Sequence, residues 1–90
     1  MKKRLRLFYS GRVQGVGFRY TVEEIARKNK VFGWVKNLSD GRVEITAESD
    51  EEALNGFISQ VKEHFFRYIE DVEMEWLPAT GEFSDFEIVF

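Results

Sequence analysis

Gly33-Trp34-Val35-Lys36-Asn37-Leu38-Ser39-Asp40-Gly41-Arg42-Val43-Glu44-Ile45-Thr46-Ala47, in the middle of the chain, reads as a β-hairpin. Residues 31–37 and 42–48 are its two strands. In the second, Val43, Ile45 and Ala47 alternate with Arg42, Glu44, Thr46 and Glu48, the period of two that turns one face toward a core. Asn37 to Gly41 joins the strands, and Asp40-Gly41 tolerates the positive φ that tight hairpin turns demand.

Upstream, Leu5, Leu7 and Tyr9 alternate with Arg4, Arg6 and Phe8 in a strand that stops at Ser10-Gly11. A glycine-bearing loop follows, and then Phe18, Val22, Ile25 and Ala26 fall at helical spacing, which predicts a helix near residues 20–30. Thr21 and Glu24 are spaced as a capping pair, Asn29 is the candidate left-handed cap, and Arg27, Lys28 and Lys30 suit the negative end of the helix dipole. Downstream, Ser49-Asp50-Glu51-Glu52 has the form of a capping box with Ser49 as N-cap. Leu54, Phe57, Ile58, Val61 and Phe65 trace one face of a second helix. Val72, Met74 and Trp76 alternate with Asp71, Glu73 and Glu75 in a fourth strand. Pro78 to Gly81 makes a turn, and Phe86, Ile88 and Phe90 form a short final strand.

The order is therefore β-α-β-β-α-β with a short terminal strand. Right-handed crossovers put both helices on one face of a mostly antiparallel sheet. This is an α+β fold, a ferredoxin-like two-layer α/β sandwich, and residues 1–90 form one domain. Within it the first two strands run in the same direction, so their C-terminal ends share one edge of the sheet and bring the glycine loop beside Asn37.

Composition narrows the function. A hydrophobic content of 43% with 16% aromatics fits a folded core rather than disorder. With no cysteine, disulfides, thiolate metal sites and cysteine nucleophiles are excluded. Lys2, Lys3 and Arg4 begin like a signal peptide, but Arg6, Ser10 and Arg12 interrupt any apolar run, which points to the cytoplasm and away from membranes. The net charge of −3 hides an asymmetry: residues 1–42 hold 11 Lys and Arg against three acids, and residues 43–90 hold two against 13. That split suits attraction of a small anion to the basic half, and equally suits attraction between the halves. The acidic total disfavours nucleic acid as a partner.

The loop Gly11-Arg12-Val13-Gln14-Gly15-Val16-Gly17-Phe18-Arg19 carries the chemistry. Gly15 and Gly17 free the main chain to turn the amides of Gly15, Val16, Gly17, Phe18 and Arg19 inward at a helix N-terminus, where an anion is favoured. Arg19 adds a forked cation that pairs two phosphate oxygens. The glycines alone would also serve a tight strand-to-helix turn. Asn37 has two readings: local hydrogen bonding before a turn, or an amide that holds a water by one donor and one acceptor. No base stands beside Ser10, Ser39, Ser49, Ser59 or Ser84, the one histidine, His64, sits near the end of the second helix, and the acids lack the clustering of a metal site. A phosphate holder without base or metal suits one class of phosphate. In an acyl phosphate the leaving carboxylate has a pKa of about 4–5, so it departs without a general acid, through a loose transition state that needs positioning and charge stabilisation.

These two stretches, with Gly81 to Ile88, resemble the acylphosphatase family over nearly the whole chain. The resemblance implies hydrolysis of acyl phosphates to a carboxylate and phosphate, with no metal or cofactor, by a monomer acting on a small-molecule substrate. It matches Arg19 to the family's phosphate-binding arginine, Asn37 to the asparagine that orients the attacking water, and the amides of residues 15–19 to the phosphate cradle. It further implies that a substrate phosphate oxygen takes the water's proton. The chain departs from the family at Asn29-Lys30, where glycine is common, and at His64-Phe65-Phe66-Arg67-Tyr68, where Gly-Pro is common.

A rival reading is an RNA-binding module with Phe8, Phe32 and Trp34 on the open face as stacking platforms; an RNA-recognition signature is missing. Another is a module of a larger maturation enzyme, against which a chain ending at residue 90 suggests a free-standing protein.

Overall fold

The computed structural model describes all 90 residues. Strand β1 (Lys2–Gly11) leads into helix α1 (Phe18–Lys28); β2 (Phe32–Asn37) and β3 (Val43–Asp50) form the hairpin; helix α2 (Glu51–Phe65) returns to β4 (Ile69–Pro78), and β5 (Phe86–Val89) closes the chain. The sheet order is β4-β1-β3-β2-β5. Pairs β1–β3, β1–β4 and β2–β3 are antiparallel, and β2–β5 is parallel. Two helices on a five-stranded mixed sheet is the ferredoxin-like arrangement with an added terminal strand.

Alternation decides the faces. Leu5, Leu7 and Tyr9 pair with Ala47, Ile45 and Val43, and all six are buried beneath the helices. Phe18, Val22, Ile25 and Ala26 from α1, and Leu54, Phe57, Val61 and Phe65 from α2, complete that layer with Val35 and Phe86. Met74 and Trp76 share the same face, opposite Leu7 and Leu5, yet are 53% and 43% exposed. The reason is position: β4 is an edge strand, and the helices pack on β1, β2, β3 and β5.

The helix ends differ from the sequence reading. Helix α1 starts at Phe18, with Gly17 in the left-handed region as N-cap, so Thr21 and Glu24 lie inside the helix and cap nothing. At its other end Asn29 has φ −96°, and Lys30, at φ 56°, takes the left-handed position. Asn29 instead donates its side-chain amide to the Ile25 carbonyl at 2.8 Å and to Gln60. Ser49 is not an N-cap either. Strand β3 runs on to Asp50, and the Ser49 hydroxyl donates to the Lys30 carbonyl at 3.1 Å. In place of Gly-Pro, a tight turn joins α2 to β4: Tyr68 N–H donates to the Phe65 carbonyl at 2.9 Å, and the Tyr68 carbonyl accepts from Arg12 N–H.

The open face is partly dressed. Residues 79–85 cross from β4 at one edge to β5 at the other, near the end where β1 begins. Glu48, buried on β3, anchors this strap by accepting from the amides of Thr80 at 2.9 Å and Gly81 at 3.0 Å, the Thr80 hydroxyl, and Arg4 Nε at 2.7 Å. Arg4 also binds Glu82 and lies over the ring of Phe83. Phe8 and Phe32 on this face are half-buried under cations: Arg6 and Arg42 over Phe8, Lys2 over Phe32. Trp34, also half-buried, shares a shallow groove with Arg4, Arg6 and Phe83. No helix is long and apolar enough to cross a membrane.

Candidate active site

Because β1 and β2 both pair antiparallel with β3, they run in the same direction and end at one edge of the sheet. At that edge the chain leaves β1 at Gly11 and bends through residues 12–17 into α1. Gly15 and Gly17 both sit at φ 77°. A Cβ at either would meet nothing within 4 Å, so the requirement is conformational and not steric crowding. Their left-handed turns direct the main chain into a helix that has no side-chain cap and no acid in its first turn.

The consequence is a run of unused donors. Four N–H groups at any helix start lack an intrahelical partner. Here the amides of residues 15–20 donate to no backbone carbonyl; the first one satisfied is Thr21 N–H, which reaches the Gly17 carbonyl at 3.1 Å. The positive end of the helix dipole adds to them, worth roughly 0.3–2 kcal/mol toward an anion.

A cleft of about 270 Å³ opens at this point, lined by Val13, Gly15, Gly17, Phe18, Arg19, Tyr20 and Asn37. Arg19 and Asn37, 18 positions apart in the sequence, thus face one space. The Arg19 guanidinium pairs with no carboxylate; its neighbour is the ring of Phe90, 4.9 Å from the cation. That stacking orients the group without neutralising it. Asn37 ends β2, and its Oδ1 is buried with no hydrogen-bond partner. A buried acceptor left unpaired costs free energy, here as at the Tyr9 hydroxyl.

Of the residues singled out in the sequence, Gly15, Gly17, Phe18, Arg19 and Asn37 line the cleft. The Phe18 side chain is turned largely away, buried against Tyr9 and Phe65, so its amide is what it offers. The Val16 side chain packs on the core and leaves its amide alone to contribute. Sequence reasoning did not reach Tyr20 or Phe90. Tyr20 follows Arg19 directly, a signal that was available; Phe90 is brought in only by the parallel pairing of β5 with β2. No group of three His, Cys, Asp or Glu side chains is placed to hold a metal ion, and the cleft lining contains none of these residue types. His64 is exposed on α2.

Comparison with known proteins agrees over the full length. A family model described as acylphosphatase matches residues 5–88. A protein named acylphosphatase from Caldanaerobacter subterraneus subsp. tengcongensis is 40% identical over 89 residues, covering 98% of this chain and 99% of the relative. The crystal structure of acylphosphatase from Bacillus subtilis superposes with a TM-score of 0.89 at 41% identity, covering both chains completely. The fold also recurs inside a larger protein. Full-length HypF, solved in a phosphate- and nucleotide-bound form, matches with a TM-score of 0.89 at 32% identity over 12% of its length.

Proposed function

This chain belongs to the acylphosphatase family, and on that premise we propose how it hydrolyses an acyl phosphate to a carboxylate and inorganic phosphate. The observation that carries the reading is that Asn37 and Arg19, which pairs with no carboxylate, line one cleft beside the free amides of residues 15–20.

The phosphoryl group is bound by the amides of Gly15, Val16, Gly17, Phe18 and Arg19, with the Arg19 guanidinium bridging two of its oxygens. Asn37 accepts a hydrogen bond from a water through Oδ1 and donates another through its Nδ2, which fixes the water in line with the bond to be broken. The water oxygen forms a bond to phosphorus while the bond from phosphorus to the acyl oxygen breaks, its electron pair leaving with the carboxylate. A non-bridging phosphoryl oxygen takes the water's proton. Because the leaving group is a weak base, with a pKa of about 4–5, no general acid is needed. Arg19 and the amides stabilise the charge spread over the equatorial oxygens. The absence of carboxylate, imidazole or thiol from the cleft lining supports a metal-independent route.

The test is hydrolysis of acetyl phosphate in excess chelator, wild type beside Arg19→Ala. Turnover that persists with chelator and collapses in the variant is expected. Loss of turnover on chelation, restored by a divalent metal, would overturn the metal-independent route.

A further inference from the structure

On the reading of Asn37 just given, we infer that Gln14 is a positioning residue, whose side-chain amide ties the phosphate loop to the hairpin turn and thereby holds Asn37 in place. Gln14 Nε2 donates to the Leu38 carbonyl at 2.8 Å and to the Arg42 carbonyl at 3.0 Å. These two carbonyls are the ones that close the turn: Leu38 N–H donates to the Arg42 carbonyl at 2.8 Å, and Gly41 N–H to the Leu38 carbonyl at 3.2 Å. A primary amide has two N–H donors and each carbonyl has a second lone pair, so the two donors of Gln14 match the two carbonyls at the mouth of the turn.

Location gives this match its functional weight. Gln14 immediately precedes Gly15, and Leu38 immediately follows Asn37. The two walls of the cleft come from strands that are not neighbours, since β3 lies between β1 and β2. No backbone bond joins residues 12–17 to residues 37–42; the two Gln14 bonds do. The Asn37 Oδ1 has no partner of its own, so the side chain takes its place from the main chain on which it stands. Loosening the turn moves the water and leaves the phosphate grip, built from the loop and Arg19, intact.

Four proteins test this: wild type, Gln14→Met, Asn37→Ala and the double variant. Each is assayed for acetyl phosphate hydrolysis, inhibition by inorganic phosphate and thermal melting. Gln14→Met is expected to lower kcat about tenfold with the phosphate inhibition constant held within about twofold, the pattern of a group that acts in the transition state only. The double variant is expected to be no slower than Asn37→Ala, because both changes remove one function. Gln14→Leu is likewise uncharged and without donors, and is expected to reproduce the kcat loss should Gln14→Met fail to fold. Losses that multiply, a phosphate affinity that falls in step with kcat, or full kcat in a folded Gln14 variant would overturn the inference alone. Full kcat in Asn37→Ala would overturn the water-holding role and this inference with it.

Discussion

Arg19 is the one cation in the cleft lining, and it combines charge with a fork that matches two phosphoryl oxygens. Arg19→Ala is expected to lower kcat/KM by about a hundredfold to a thousandfold, the scale for removing a preorganised charge-stabilising donor. Arg19→Lys keeps the charge and loses the fork, so it should recover only part of the loss. Asn37→Ala should lower kcat by about a hundredfold with KM nearly unchanged, since water and not phosphate is displaced; a raised KM at full kcat would contradict that role. Tyr9 offers a residue-scale check away from the site. Its hydroxyl is buried without a partner, and burial holds it well above the usual phenol range. Tyr9→Phe removes an unsatisfied group and should leave thermal stability unchanged or raise it by about 1 kcal/mol. Arg19 stood out because it follows the glycine loop directly. Asn37 has a local reading before a turn and was legible only because β1 and β2 end at one edge. Phe90 was not, since only the register of a terminal strand brings it over the guanidinium.

At the scale of elements, the strap over residues 79–85 hangs on Glu48. Burial alone would raise its carboxyl, but the bonds from Thr80, Arg4 and Gly81 outweigh that and bring it to about 2, against an ordinary 4.5. The sign follows from linkage. A carboxyl depressed in the folded state stabilises fully above its unfolded value and loses that contribution as pH falls from about 4.5 toward 2. The contribution is on the order of 2–3 kcal/mol. Thermal melts of wild type and Glu48→Gln should therefore differ by about 10 °C near neutral pH and converge as pH approaches 2. Activity per folded molecule should be unchanged, because Glu48 pairs with Arg4 near the start of β1 and the cleft lies at its end. Both helices were legible from their periodicity, and both N-caps were misread for a physical reason. At α1 the glycine turn starts the helix early and leaves its amides free; at α2 the strand continues through Ser49, which takes a tertiary bond instead of a local one. Capping motifs describe local competition, and here tertiary structure decided both.

Across the whole molecule, the uneven charge resolves into two roles. Lys3, Arg4, Arg6 and Arg27, four of the 11 cations in residues 1–42, pair with Glu51, Glu48, Glu44 and Asp85, so part of the basic half is neutralised by the acidic half. Arg19 is left out of this pairing, as are Lys2, Arg12, Lys28, Lys30 and Lys36, and of these it is the one that lines the cleft. Exposed pairs contribute little to stability, whereas attraction of a phosphate dianion is screened by salt. Raising ionic strength from about 10 mM to 1 M shrinks the Debye length from about 30 to 3 Å. The expected outcome is a KM for acetyl phosphate that rises several-fold with the melting temperature nearly fixed; the reverse pattern would place the unpaired charge elsewhere. Topology was readable at this scale because the central hairpin and two crossovers leave few arrangements. The exposure of Met74 and Trp76 was not, since alternation says which face a residue takes and nothing about whether a helix reaches over an edge strand.

The grip on phosphate by a curved main chain and one guanidinium is tested most directly by a crystal grown with inorganic phosphate. The anion is expected in the cleft, within about 3 Å of the amides of residues 15–19 and bridged by Arg19. An anion bound at another surface, with this cleft left to solvent and Arg19 turned away from it, would contradict the mechanism.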